Sequence, residues 1–187
     1  MFKKKLIVLS SPSGGGKSTL ANYLMTLYPE IRFSVSCTTR KIREGEVHGK
    51  DYFFLTKEEF EEKVANGEFA EYEQIFGNYY GTLKSEIKKH INSGNSILFD
   101  VDVKGAVSLR RNFPDDTLLL FIYPPSFEEL QRRLQKRSTE SPEELNIRLE
   151  RAKEELEYKE LFDHSILNDV LQTAFNDLEQ VIKANLS

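Results

Sequence analysis

Apolar residues in this chain gather in short unbroken runs set between stretches with helical spacing. Leu6-Ile7-Val8-Leu9 is the first run, the form expected of a strand buried on both faces. Ser96-Ile97-Leu98-Phe99-Asp100 and Thr117-Leu118-Leu119-Leu120-Phe121-Ile122 are two more, and His164-Ser165-Ile166-Leu167-Asn168 reads as a fourth. After the first run, Ser18 to Tyr28 predicts a helix, with Leu20, Leu24 and Leu27 on one face and Pro29 closing it. Strand and helix signals in alternation predict parallel βα units, hence an α/β fold with a parallel sheet flanked by helices.

The texture changes between Phe33 and Gly94, which is rich in Tyr, Phe, Gly and charge. Phe69-Ala70-Glu71-Tyr72-Glu73 alternates, which puts Phe69 and Glu71 on one face of a strand. A small, partly antiparallel α/β subdomain over residues 34–94, inserted in the parallel core, is expected. Within it, Thr56 and Glu59 stand at capping-box spacing and predict a helix over Thr56 to Val64. A second, helical insertion is expected over residues 126–148. Ser126-x-x-Glu129 opens one helix, and Ser141-Pro142-Glu143-Glu144 opens another with serine as cap and proline at the first helical position. Between them lies a basic stretch, Arg132 to Thr139. The core is then 1–33, 95–125 and 149–187, one domain in all.

A chain of 187 residues is long enough to bury a core without staples. A formal net charge of −4 argues against a general nucleic-acid binder, which would carry a basic face. The one cysteine, Cys37, excludes an internal disulfide and fits a reducing compartment. The four apolar residues after Lys3-Lys4-Lys5 are too few for a signal peptide, and no run is long enough to cross a bilayer. A cytoplasmic protein with neither membrane nor nucleic-acid partner is expected. His48, His90 and His164 show no metal-ligand spacing.

Ser10 to Thr19, SSPSGGGKST, carries most of the chemistry. The phosphate loop is written G-x-x-x-x-G-K-[ST]; Gly16, Lys17 and Ser18 fit, and Ser11 stands where the first glycine belongs. A buried strand enters the stretch and a helix leaves it, the context the motif requires. Backbone N–H groups over Ser13, Gly14, Gly15, Gly16, Lys17, Ser18 and Thr19 can turn toward phosphate oxygens, helped by the helix N-terminus. Lys17 can reach the β- and γ-phosphates and the Ser18 hydroxyl can coordinate Mg²⁺. A Gly-rich turn with a surface lysine would leave the Lys-Ser pair unexplained. Asp100, at the end of an apolar strand, is the natural Walker-B-like carboxylate for the same metal.

A phosphate loop serves GTPases, ATPases and kinases alike, so other segments must choose. Ser36-Cys37-Thr38-Thr39-Arg40, then Gly49-Lys50-Asp51-Tyr52-x-Phe54, then Gly77-Asn78-Tyr79-Tyr80-Gly81-Thr82 follow in order. With the phosphate loop, Asp100-Val101-Asp102 and Ile166-Leu167-Asn168-Asp169, they make a chain that resembles the guanylate kinase family over nearly its whole length. That resemblance implies a P-loop nucleoside monophosphate kinase fold with a GMP-binding subdomain and a lid. It implies transfer of the γ-phosphoryl group of ATP to GMP, with Mg²⁺, in purine nucleotide metabolism. Arg40, Arg43, Tyr52 and Tyr80 supply two guanidinium forks and two phenols suited to a monoester phosphate. The Glu71 carboxylate can accept from guanine's ring N–H and exocyclic amine together, a donor pair that adenine lacks. By resemblance, Ser36 and Thr82 donate to the guanine oxygen and Asp102 adds a guanine or ribose contact. Arg133, Arg137 and Arg148 match the lid arginines, while Arg132 reads as a solvated helix face. Asn168 matches a position near the adenine or the lid. Two other functions stay open on the sequence: a non-catalytic module docking protein ligands in the GMP site, and a kinase of this architecture with another acceptor.

Overall fold

The apolar runs become the strands of one sheet because the helices between them cover both of its faces. The computed structural model describes residues 2–75, 77–137 and 142–186, apart from the side chains of Arg137, Pro142 and Glu144. In chain order, β1 (Leu6–Ser10) and α1 (Lys17–Leu27) lead to a short strand, β2 (Arg32–Phe33). The first insertion holds β3 (Cys37–Thr38), β4 (Phe53–Phe54), α2 (Lys57–Ala65), β5 (Phe69–Ile75), β6 (Asn78–Leu83) and α3 (Lys84–Asn92). The chain returns to the core through β7 (Ile97–Asp100), α4 (Val103–Asn112) and β8 (Thr117–Tyr123). Helices α5 (Phe127–Arg137) and α6 (Pro142–Glu157), a 3-10 turn at Tyr158–Leu161, β9 (His164–Leu167) and α7 (Leu171–Ala184) follow.

The core sheet has the order β2-β7-β1-β8-β9 with every pairing parallel. Successive residues of β1 point to opposite faces. Ile7 and Leu9 meet Leu20 and Leu24 of α1 and Leu178 and Ile182 of α7, while Leu6 and Val8 meet Phe99 and the α4 residues Ala106 and Leu109. Each fully buried aliphatic side chain of this kind contributes ~1.5–3 kcal/mol. Leu27 departs from the expected face: it is 41 % exposed, and Tyr28 packs against the core just beyond it, edge to face with Phe2. The larger ring fills the space at the end of α1.

The insertion forms its own sheet, β4-β3-β6-β5, mixed because β3 and β4 run parallel and the other pairs antiparallel. Its small core stacks Phe60 against Phe69 at 4.3 Å and Tyr79 at 5.2 Å between ring centroids. Phe60 is carried there by α2, whose capping box is complete: Glu59 N–H donates to Thr56 Oγ1 and Thr56 N–H to Glu59 Oε2. Cys37 lies in the same core, and burial pushes its thiol up to about 12.

A β-bulge between Phe69 and Glu71 breaks the expected alternation. The extra residue reverses the phase of the strand. Phe69 faces the aromatic core, together with Tyr72, and Glu71 faces the other way, toward Thr82 and Gly105. The two do not share a face.

In the second insertion Ser126 Oγ accepts from Glu129 N–H and caps α5, and α6 begins at Pro142 as expected. Ser141, the expected cap, lies outside the described residues. Helix α6 runs unbroken through position 148, and Leu149 and Ala152 pack with Leu130 and Leu134 of α5. The apolar seam of the helical insertion therefore extends at least one turn past the boundary drawn at residue 148.

Candidate active site

The parallel register sets Leu9 beside Asp100, so the loop leaving β1 starts next to the carboxyl end of β7. Gly16 caps α1 with φ +94°, a left-handed conformation that glycine adopts at no steric cost. The first turn of α1 holds no acidic residue, which leaves its positive end to a ligand. A Cβ on Gly15 would lie 2.8 Å from Ser11 Cβ and 3.0 Å from the Pro12 carbonyl oxygen. Ser11 thus fits in place of a glycine because Gly15 has no side chain.

Lys17 Nζ stands 2.6 Å from Asp100 Oδ1 and donates to the Val101 carbonyl at 2.8 Å. Ser18 Oγ donates to the other carboxylate oxygen of Asp100 at 3.2 Å. The loop borders a cavity of about 250 Å³, closed on its far side by Arg148, Arg151 and Glu155 of α6. Thr19 is exposed on the first turn of α1.

A second cavity, about 290 Å³, adjoins the first and shares Lys17, Ile75 and Asp102 with it. Ser36, Tyr52, Glu71 and Tyr80 line it. Glu71 is 8 % exposed, and burial pushes its carboxyl up to about 7, although the Thr82 hydroxyl pulls the other way. Thr82 Oγ1 donates to Glu71 Oε1 at 2.6 Å. The Thr82 hydroxyl hydrogen, expected with that of Ser36 to meet a guanine oxygen, is therefore committed to holding Glu71. Asp102 caps α4, accepting from Gly105 N–H at 2.7 Å. A Cβ on Gly105 would fit tightly, 3.1 Å from both Asp102 Oδ1 and Glu71 Oε2.

Other expected residues are engaged differently. Arg40 makes a two-point contact with Glu46, at 2.6 and 3.0 Å, and its guanidinium lies over the Tyr52 ring. Arg43 is exposed, and its backbone N–H donates to the same Glu46. A phosphate at these arginines has to compete with that carboxylate. Arg133 bonds Glu129 at 2.8 Å and the Asn168 carbonyl at 2.9 Å, and Arg132 pairs with Glu129 on the exposed face. Hydrogen bonds from Arg132 and Arg133 hold the Glu129 carboxyl down to about 2. The Arg137 side chain lies outside the described residues. Asn168 Nδ2 donates to the Gly15 carbonyl at 2.8 Å, so this residue buttresses the loop.

Three residues that join these parts gave no sequence signal as a group. Arg151 Nη2 donates to Glu73 Oε1 at 2.8 Å and to Asp102 Oδ2 at 3.2 Å, and its Nε donates to Glu155 Oε1 at 2.9 Å. Glu155 Oε2 accepts the Ser13 N–H of the loop at 3.0 Å. Spacing on α6 relates Arg151 to Glu155, but Glu73 comes 78 positions earlier in the chain.

Among the described residues no three His, Cys, Asp or Glu side chains gather as a metal site. Ser18 and Asp100 are still a suitable pair for Mg²⁺, which takes one or two protein oxygens and completes its shell with water and phosphate. No helix among the described residues is long and apolar enough to cross a membrane.

Comparison with known proteins places this arrangement. The family profile described as guanylate kinase matches residues 3–185. The guanylate kinase of Chlorobium luteolum is 49 % identical over 180 residues, covering 96 % of this chain and 90 % of that protein. The guanylate kinase of Chlorobaculum tepidum is 53 % identical over 167 residues, 89 % of this chain and 86 % of its own. The crystal structure of guanylate kinase from Anaplasma phagocytophilum superposes with a TM-score of 0.75 at 32 % identity, covering all of this chain and 89 % of that one.

Proposed function

The chain belongs to the guanylate kinase family and is an ATP:GMP phosphotransferase, and we propose that its two adjoining cavities divide that reaction between donor and acceptor. ATP phosphates lie on the loop from Ser13 to Thr19, and GMP lies among Ser36, Arg40, Arg43, Tyr52, Glu71, Tyr80 and Asp102. The observation that carries this division is that Lys17 lines both cavities, so one ammonium serves the transferred group wherever it passes between them.

The γ-phosphoryl group moves in line: an oxygen of the GMP phosphate bonds to the γ-phosphorus as the bond to the ADP oxygen breaks. Positioning and charge stabilisation are enough for such a transfer, with no covalent intermediate on the protein. Lys17 leaves Asp100 to follow the developing charge. Arg133, Arg137 and Arg148 bring cations from the lid; groups of this kind contribute a factor of about 10³–10⁵ in rate. Ser18 and Asp100 would hold Mg²⁺, which would supply charge neutralisation to the donor phosphates. Glu71, positioned by Thr82, takes the two neighbouring guanine donors. Asp102 is a second acceptor beside it. Closure of the subdomain 34–94 and the lid 126–148 excludes water, the competing phosphoryl acceptor.

Lys17→Met tests the division. Turnover should fall at least ~10³-fold with the melting temperature retained; near-wild-type turnover would remove Lys17 from the transfer step.

A further inference from the structure

We propose that Arg151 is a positioning residue that couples occupancy of the GMP cavity to the conformation of the phosphate loop. It touches neither the loop nor Glu71 through the bonds it makes. It stands between them as the one cation of a four-part chain.

Its Nη2 holds Glu73, on β5 of the GMP-binding insertion, and Asp102, the cap of α4; both carboxylates line the acceptor cavity. Its Nε holds Glu155 one turn along α6, and the other oxygen of Glu155 accepts the Ser13 N–H of the phosphate loop. Glu155 is 6 % exposed. A carboxylate that buried persists only when its oxygens are partnered, and here one partner is Arg151 and the other is the loop itself. The fork geometry of the guanidinium sets the relative placement of the three carboxylates; a lysine ammonium has no such fork.

Asp102 changes partners least if Arg151 keeps its bond to Oδ2 while a ligand in the acceptor cavity uses the remaining acceptor capacity. A ligand that fixes Glu73 and Asp102 then fixes Arg151, and through Glu155 the loop at Ser13. Loop ordering is in that case already complete when the donor nucleotide arrives, which is positive coupling between the two sites. The inference rests on the ATP and GMP assignment made above.

The test is the affinity for ADP, by titration calorimetry, with and without saturating GMP, in the wild type and in Arg151→Met. The wild type should bind ADP about 5-fold or more tightly when GMP is present. In Arg151→Met that ratio should fall to near one, while each nucleotide alone still binds, KM for both substrates rises and the melting temperature is retained. A purely structural role would lower stability and leave the ratio intact. Glu73→Ala is the second variant: it cuts one of the two acceptor-side links and leaves Arg151 its bonds to Asp102 and Glu155, so the ratio should fall part of the way in a folded protein. A wild-type ADP affinity that ignores GMP, or either variant keeping the wild-type ratio, overturns the coupling. A wild type that binds ADP but not GMP overturns the acceptor assignment instead, and the inference with it.

Discussion

Thr82 gives its hydroxyl hydrogen to Glu71 across the β5–β6 pair, at 2.6 Å, in a pocket that leaves Glu71 8 % exposed. The carboxylate is thereby aimed before any ligand meets it, yet its charge is costly there: burial holds its pKa up to about 7. Recognition and stability are therefore opposed at this residue.

Glu71→Gln should separate the two. An acid whose folded pKa is raised contributes stability below its unfolded pKa, and that contribution is lost as pH rises through the folded value. The neutral amide escapes the loss and can still accept from Thr82. The variant should melt higher than the wild type at pH 8, by on the order of 1 kcal/mol or ~2–4 °C, with little difference at pH 5. Its kcat/KM for GMP should fall by ~10²-fold or more, because one guanine N–H would then face an amide N–H donor. Thermal melts at the two pH values and steady-state kinetics read both effects.

The same shift gives KM for GMP a pH dependence. Protonated Glu71 offers one acceptor and one donor where guanine presents two donors. KM for GMP should rise as pH falls through about 7, approaching a tenfold rise per pH unit below it. KM for ATP should not follow this profile, and Glu71→Gln should abolish it. A GMP profile flat from pH 8 to 6 would show that the ionised carboxylate is not the acceptor.

Ser11 and Gly15 form a compensating pair. Ser11→Gly should leave turnover within about threefold, since the serine side chain occupies only the space that Gly15 lacks the Cβ to fill. Gly15→Ala should impair ADP binding, with its new methyl 2.8 Å from Ser11 Cβ. Combining it with Ser11→Gly should restore part of that loss, the rest reflecting the Pro12 carbonyl at 3.0 Å. Additive losses in the double variant, read by calorimetry, would show that the two positions do not share space.

Gly16 is constrained twice, by φ +94° and by Asn168 Nδ2, which would stand 2.1 Å from its Cβ. Asn168→Ala removes the bond to the Gly15 carbonyl and should destabilise by ~1–3 kcal/mol through that buried acceptor. Gly16→Ala should abolish ADP binding, and adding Asn168→Ala should not restore it because the backbone strain remains. Recovery of binding in the double variant would mean that the clash alone matters.

The parts of the molecule written in local sequence were legible before the structure. A buried strand beside a glycine loop, a capping box, and serine and proline at helix starts act within a few residues, so β1, the phosphate loop, α2 and the start of α6 follow from spacing. What was not legible depends on partners far apart in the chain. The bulge at Phe69–Glu71 comes from pairing with β6, and it turns Glu71 away from the aromatic core where strict alternation placed it. The Arg40 fork suits a phosphate on its sequence, and its partner here is the Glu46 carboxylate, six positions on. Thr82 and Asn168 carry polar groups that the sequence aimed at ligands and the fold spends on Glu71 and Gly15. Arg151 carries no local sequence signal, because its partners come from β5 and the start of α4.

The most direct measurement is ADP release from ATP and Mg²⁺ in a coupled assay, with GMP, AMP, CMP, UMP and dTMP offered in parallel. Turnover with GMP, and far less with the other acceptors, is the result expected from a phosphate loop with Ser11 intact and a guanine pocket built on Glu71. Turnover with AMP at the GMP rate would contradict the base assignment, and silence with all five from a protein that binds GMP would contradict the kinase itself.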